Sequence, residues 1–212
     1  MSNSTRDQFN DLLRSEGLNA GIIPVSNIPN EESRLNEVNR LGILNRDLDQ
    51  EAQYNALTQL AAIITKSQIG LINILGSNIQ QCKTNFGFNV VESTLTEEMP
   101  REISICQYSL ASPQEPLIIN DLFLDERTKH FKKLEAYENL RFYAGSPLIS
   151  SRGFSIGTLC VIDDKPKNIE HDQIEGLRLL ADQVVNMLEQ EFNDNSNQNI
   201  DPEDISNVIE TN

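Results

Sequence analysis

The segment from Arg141 to Asp163, RFYAGSPLISSRGFSIGTLCVID, constrains the fold more than any other part of the chain. It reads as two strands, Phe142 to Ile149 and Phe154 to Asp163, joined by the polar turn Ser150-Ser151-Arg152-Gly153. Gly153 can take the positive φ that a tight hairpin needs. Leu159, Cys160, Val161 and Ile162 follow one another with no polar position between them. A strand with no face for water is expected at the centre of a sheet covered on both sides. Gly145 and Gly157 place no side chain on this hairpin. Sheet geometry alone accounts for both, although glycine in a strand also marks a bulge, a close backbone approach or a ligand.

The flanking segments predict what covers such a sheet. A helix begins at Glu31, carries Leu35, Val38 and Leu41 on one side and ends at Gly42. A second runs from about Asp49, its N-cap, to Lys66, with Ala52, Leu57, Leu60, Ala61 and Ile64 along one face. Ile69 to Leu75 reads as a strand, Gly76-Ser77-Asn78 as a turn and Gln80 to Phe86 as the returning strand. Residues 87 to 100 read as a loop. Pro100-Arg101-Glu102 starts a short helix with Ile103, Cys106 and Leu110 on one face. Leu117 to Ile119 is a short buried strand, and Asp125 caps a short helix through Lys133. After the hairpin, Pro166 ends the last strand, and a helix from about Glu170 to Phe192 carries Ile174, Leu177, Leu180, Val184 and Leu188.

This order predicts an α+β fold, a central antiparallel sheet with helices segregated to one face. The irregular stretch from Gly87 to Leu140 is too long for an ordinary connection and is expected to form a pocket wall or lid. The length, 212 residues, suits one domain with tails. The expected division is a flexible N-terminal arm at 1–30, with at most a transient turn around Phe9, Leu12 and Leu13. A domain follows at 31–192, then a disordered acidic tail at 193–212.

The net charge of −15 argues against nucleic acid or an anionic membrane as main partner. Cys82, Cys106 and Cys160 lie far apart and lack CxxC spacing, which gives neither a zinc signature nor a disulfide framework. With no signal peptide and no apolar run near 18 residues, the chain is expected to be soluble and cytoplasmic.

Several motifs in one order resemble the GAF domain, a sensory fold of the PAS-like type. They are Arg34-Leu35 to Leu44, Lys83, Pro100-Arg101-Glu102-Ile103-Ser104-Ile105-Cys106, Asp121 with Asp125 and Arg127, Arg141-Phe142-Tyr143-Ala144-Gly145-Ser146-Pro147-Leu148, and Gly157-Thr158-Leu159-Cys160-Val161-Ile162-Asp163. The resemblance implies a sheet of five to six antiparallel strands with the terminal helices packed on one face, a small-molecule pocket closed by the middle segment on the other, and a regulatory rather than catalytic role. Family members bind cyclic nucleotides, bilins, haem, small metabolites or nothing known, so no cofactor is named. Three motif positions depart from the family. Tyr108 stands where a His is common. Gln81-Cys82-Lys83 replaces an aromatic pair before lysine. Asp125-Glu126-Arg127-Thr128 replaces Asp-Pro-Arg-Phe. Without the Cys-His pair, a covalently attached bilin is not expected.

The candidate ligand-binding residues are Lys83, Arg101, Cys106, Tyr108, Asp121, Arg141 and Tyr143. Lys83, Arg101 and Arg141 border the implied pocket and would suit an anionic ligand. Each also has a structural reading: Arg101 paired with Glu102 or a carbonyl, and Arg141 paired with Asp121 or Asp125. Tyr108 and Tyr143 either contact a ligand or fill the core. Cys106 is either a ligand-contacting or redox thiol or, more simply, a small buried hydrophobe. Cys160 reads as core. His130 and His171 have no nucleophile, carboxylate or metal spacing around them, and no phosphate-cradling glycine loop is visible. One branch of the family reduces free methionine sulfoxide with cysteines in the loop before the middle helix, but residues 87–99 contain none.

Two readings remain. In one, a small molecule in the pocket shifts the terminal helices toward a partner or dimer mate. In the other, the pocket is filled and the domain is a protein-interaction or dimerisation module. An open pocket lined by Lys83, Arg101, Tyr108 and Tyr143 would support the first, and a face filled by side chains the second.

Overall fold

A computed structural model describes residues 3–48, 51–87, 98–134 and 137–198. Asp49, most of the 87–100 loop and residues 199–212 of the acidic tail lie outside them. Among the described residues the order is α1 (Asn3–Ala20), α2 (Glu31–Leu41), α3 (Ala52–Thr65), β1 (Ile69–Leu75), β2 (Ile79–Phe86), β3 (Glu98–Pro100), β4 (Leu117–Ile119), β5 (Phe142–Ile149), β6 (Ser155–Asp163) and α4 (His171–Gln198). Between β3 and β4 the chain winds through 3-10 turns at Arg101–Ile103 and Ile105–Ala111.

The strands form one antiparallel sheet in the order β3-β2-β1-β6-β5-β4. The fold is α+β, as the sequence predicts, and β6 lies inside the sheet with every residue buried. The sheet separates two apolar layers. On one face α2, α3 and α4 set Val38, Leu41, Leu57, Leu177, Ala181 and Leu188 against Ile72, Ile74, Phe142, Ala144, Leu159 and Val161. On the other, the segment from Met99 to Tyr137 sets Ile103, Cys106, Leu110, Leu122 and Phe131 against Leu71, Tyr143, Cys160 and Ile162. Each large side chain buried in this way contributes roughly 1.5–3 kcal/mol against the entropy of ordering the chain.

Three local expectations change. First, the segment read as an arm holds helix α1, whose end docks on the second layer. Ala20 and Ile22 are buried there. Arg14 Nε donates to Glu102 Oε2 at 2.9 Å, Lys133 Nζ to the Ala20 carbonyl at 2.7 Å, and Val25 N to Gln107 Oε1 at 2.8 Å. The docking residue Gly17 is small because a Cβ there would collide with Ile103. Contact through Gly17 and Ala20, rather than a stripe of large side chains, is why periodicity misses the helix.

Second, α3 buries Tyr54, Leu57, Thr58, Ala61, Ala62 and Thr65, and leaves Leu60, Ile63 and Ile64 exposed. The face is rotated from the expected one because Tyr54 and the two threonines form bonds inside. Tyr54 OH donates to Glu191 Oε2 at 2.9 Å and Thr65 Oγ1 to the Ala61 carbonyl at 2.7 Å.

Third, Asp125 starts no helix. Its Oδ1 accepts from Arg127 N at 2.9 Å, an Asx turn, and only Phe131–Lys133 makes a 3-10 turn. α4, by contrast, runs on past Phe192 to Gln198.

Candidate functional site

The face opposite α2, α3 and α4 is where the sequence expects a hollow. Its floor is built from β1, β5 and β6 in register: Leu71 opposite Cys160, Asn73 opposite Thr158, Gly145 opposite Cys160 and Tyr143 opposite Ile162. The 3-10 turn Ile105–Ala111 lies over it. Ser104 Oγ accepts from Gln107 N at 3.3 Å and starts that turn, which aims Cys106 at the floor and buries it. Side chains fill this face, with Tyr143 and Cys160 below and Ile103, Ile105, Cys106 and Leu110 above.

At its centre is a small polar cluster. Asn73 Nδ2 reaches Cys106 Sγ at 3.5 Å and Cys160 Sγ at 3.4 Å. The Tyr143 hydroxyl donates to Cys106 Sγ at 3.3 Å. Gly145 is required for that bond, because a Cβ there would occupy the hydroxyl's position. The Asn73 amide thus lies between the two thiols, both of which are free. Cys160, foremost, and the polar groups around the sulfur draw the Cys106 thiol below its ordinary value against the opposing effect of burial. Burial pushes the Tyr143 phenol well up. Asn73 Oδ1 and Thr158 Oγ1 are buried without a well-formed hydrogen bond.

The sequence-derived candidates do not converge on this cluster, apart from Cys106 and Tyr143. Lys83 is the extra residue where the β1–β2 register shifts between Ile72 and Asn73. Such a bulge re-aims a side chain. The Lys83 ammonium therefore donates to the Leu44 and Arg46 carbonyls, at 2.9 and 2.8 Å, on the helical side. Burial lowers its pKa. Arg101 NH1 donates to Glu31 Oε1 at 2.5 Å and to the Gly76 carbonyl at 2.8 Å, so the carbonyl half of its structural reading holds, while Glu102 pairs with Arg14.

Tyr108 OH donates to the Ile23 and Arg127 carbonyls, at 3.2 and 2.8 Å, and ties the α1 segment to the middle segment. Arg141 grips Asp121 with two bonds, Nε to Oδ1 at 3.0 Å and NH2 to Oδ2 at 2.6 Å. These hold the Asp121 carboxyl below its usual range. Of the seven candidates, then, two sit in the cluster and five are engaged in contacts that brace the fold.

Sequence reasoning missed Asn73, although its signal was available: it is the one polar residue in the strand IGLINIL. It also missed Arg34, which is buried. Arg34 Nε donates to Glu31 Oε2 at 2.6 Å, and its NH1 and NH2 donate to the Leu75 and Gly76 carbonyls at 2.7 and 3.2 Å. A separate surface cleft of about 280 Å³ lies by the β5–β6 turn, lined by Arg40, Ser151, Arg152, Glu189, Phe192 and Asn193. Both of its arginines are paired with Glu37.

The model of the GAF domain family matches residues 49–188, about two thirds of the chain. The chain belongs to the GAF domain family. The fold, a six-stranded antiparallel sheet with helices, matches that of solved GAF domains. The GAF domain of an Acinetobacter phosphoenolpyruvate-protein phosphotransferase superposes with a TM-score of 0.54 at 14% identity, covering 78% of this chain and 96% of that one. The blue-light-absorbing GAF domain of Thermosynechococcus elongatus PixJ gives 0.55 at 15% identity, covering 79% and 95%. A type II free methionine-R-sulfoxide reductase from Thermoplasma acidophilum gives 0.53 at 14%, covering 66% and 92%. These similarities establish the fold. In sequence, a cyclic di-GMP phosphodiesterase of Pseudomonas aeruginosa is 29% identical over 137 residues, 65% of this chain and 22% of that protein. The GAF chain thus spans about a fifth of the length of that relative. No described helix is long and apolar enough to cross a membrane.

Proposed function

We propose that this chain is a non-catalytic regulatory GAF domain that acts by contact, using its helical layer as the docking surface, with a second copy of the chain as the simplest partner. One observation carries this reading. The pocket face is filled, and the helical layer sets large apolar side chains in water, as the α1 segment and the middle segment also do with Leu18, Ile23 and Leu124. Leu60, Ile63 and Leu179 are 43%, 58% and 60% exposed. They lie on α3 and α4, which run antiparallel, with Ile64 against Gly176 at one end and Tyr54 bonded to Glu191 at the other. Apolar side chains clustered on a helical surface mark an interaction site more often than scattered ones do. The test is sedimentation of the full chain. The wild type is expected to dimerise at micromolar concentration and Ile63→Glu to be monomeric. A wild type that stays monomeric at every accessible concentration contradicts self-association.

A second reading, ligand sensing on the pocket face, is favoured by the two unbonded buried oxygens of Asn73 and Thr158. A buried polar atom without a partner costs roughly 1–3 kcal/mol and calls for an explanation, such as a bound polar molecule. A ligand would shift the domain only through unequal affinity for two states. Thermal shift of the full chain against nucleotides and small metabolites tests this reading. A raised midpoint that disappears in Asn73→Leu supports it. The similarity to a phosphodiesterase covers too little of that protein to bring its activity here. In both readings residues 31–192 fold as one unit.

A further inference from the structure

We propose that Cys106 and Cys160 form a reversible disulfide that staples the 3-10 turn Ile105–Ala111 to the centre of β6, a modification site independent of both readings above. Four observations carry it. The two sulfurs come from segments 54 residues apart in sequence (160 − 106), yet one amide nitrogen, Asn73 Nδ2, lies 3.5 and 3.4 Å from them. Both thiols are buried on this face, and neither is in a disulfide in this structure. Cys106 sits on a turn rather than in a ladder, so it can move toward Cys160, which the sheet holds fixed. Finally, the polar groups around Cys106 are arranged as donors to its sulfur: the Tyr143 hydroxyl at 3.3 Å and the Asn73 amide at 3.5 Å. A thiolate surrounded by donors is the nucleophilic form of cysteine, and only that form attacks an oxidant. An ordinary buried core cysteine has no such setting.

The oxidant is a peroxide. The Cys106 thiolate attacks one oxygen of hydrogen peroxide, the O–O bond breaks, and the displaced hydroxide takes a proton and leaves as water. This gives Cys106 sulfenic acid. The Cys160 sulfur then attacks the Cys106 sulfur. The S–S bond forms, the S–O bond breaks, and the Cys160 proton leaves with the hydroxide as a second water. Two thiols have lost two electrons and two protons, and one peroxide has become two waters. An external dithiol reverses the step by exchange. The bond draws the turn down onto β6 and takes the Cys106 sulfur away from the Tyr143 hydroxyl, so oxidation rearranges the cover of the pocket face.

The test uses the full chain treated with hydrogen peroxide, quenched by alkylation and digested without reduction. The expected result is a cross-linked peptide pair joining Cys106 to Cys160. It should be cleaved by dithiothreitol and absent in Cys160→Ser, where Cys106 is instead trapped by dimedone as sulfenic acid. Cys82→Ser is expected to retain the cross-link. The wild-type peptide map decides the question even if a variant folds poorly. Cys106 and Cys160 both recovered as alkylated thiols while Cys82 is oxidised, or a cross-link that includes Cys82, overturns the proposal.

Discussion

The Tyr143 hydroxyl donates to the sulfur of Cys106 at 3.3 Å, a side-chain bond that ties the pocket-face cover directly to the sheet. Both residues are buried, and the bond exists only because Gly145 leaves space for the ring's end. Tyr143→Phe removes the donor and leaves a sulfur, a weak acceptor, without a large desolvation penalty. The expected loss is about 1 kcal/mol of unfolding free energy, the net worth of one hydrogen bond. Urea denaturation of wild type and variant measures it through the midpoint at unchanged slope.

Arg34 predicts a larger effect. Its guanidinium is buried and joins α2 to the carbonyls that end β1, while also holding Glu31. Arg34→Met keeps most of the volume and removes every donor, leaving the Leu75 carbonyl short of a partner. Glu31 keeps Arg101, so the loss is that of the charged donor to the strand-end carbonyls, about 1.5–3 kcal/mol. Urea denaturation should therefore show Arg34→Met as clearly more destabilising than Tyr143→Phe.

Glu37 links stability to pH. The Arg40 hydrogen bond, with help from Ser150 and Arg152 and against burial, holds its carboxyl below the usual value. A depressed folded-state pKa means that the carboxylate's contribution is fully present above the unfolded value, about 4.3 for Glu. That contribution is lost as pH falls through the lower folded value. Asp121 behaves in the same way, with Arg141 as the cause. The wild type is therefore expected to lose stability steadily below about pH 4.3. Glu37→Gln should be less stable at pH 7 and should show a shallower acid limb. Thermal midpoints across pH 3 to 7 (roughly the window set by these carboxyls) check the sign.

The exposed side chains of α3 and α4 separate surface function from stability. Ile63→Glu and Leu179→Glu lie outside the core, so each should change the unfolding free energy by no more than about 0.5 kcal/mol. If these helices form an interface, each should weaken self-association about tenfold or more, equivalent to about 1.4 kcal/mol. Sedimentation equilibrium beside thermal unfolding separates the two effects.

Where one residue pattern admitted one arrangement, the sequence was informative. β1, β4 and β5 begin and end at the expected residues, because runs such as Leu117-Ile118-Ile119 are bounded by Pro116 on one side and Asn120-Asp121 on the other. Gly42 ends α2 with φ of 65°, as its position suggests. α3 was harder, since Leu57, Leu60, Ala61, Ala62, Ile63 and Ile64 put apolar groups on nearly every side. Periodicity could not choose among those sides, and the polar bonds of Tyr54 and Thr65 did. The site was less legible than the fold. Motif positions gave the identities of Lys83, Arg101 and Arg141, and Arg141 took the expected partner Asp121, but a one-residue bulge placed the charge of Lys83 and an ion pair with Glu31 that of Arg101. Neither is written in local sequence. Asn73 and its bonds to Cys106 and Cys160 depend on strand register and on a turn lying over it, which only the folded chain brings together.

The most direct test of the filled pocket face is amide hydrogen exchange of the ligand-free full chain, read over the segments Ile103–Leu110 and Leu117–Ile119. If Ile103, Cys106 and Leu110 pack on Leu71, Tyr143 and Cys160, those amides exchange slowly, together with the central strands β1 and β6, and do not change when nucleotides or small metabolites are added. Exchange as fast as that of an open surface loop, slowed by an added small molecule, would contradict the account and place a vacant binding site beneath that cover.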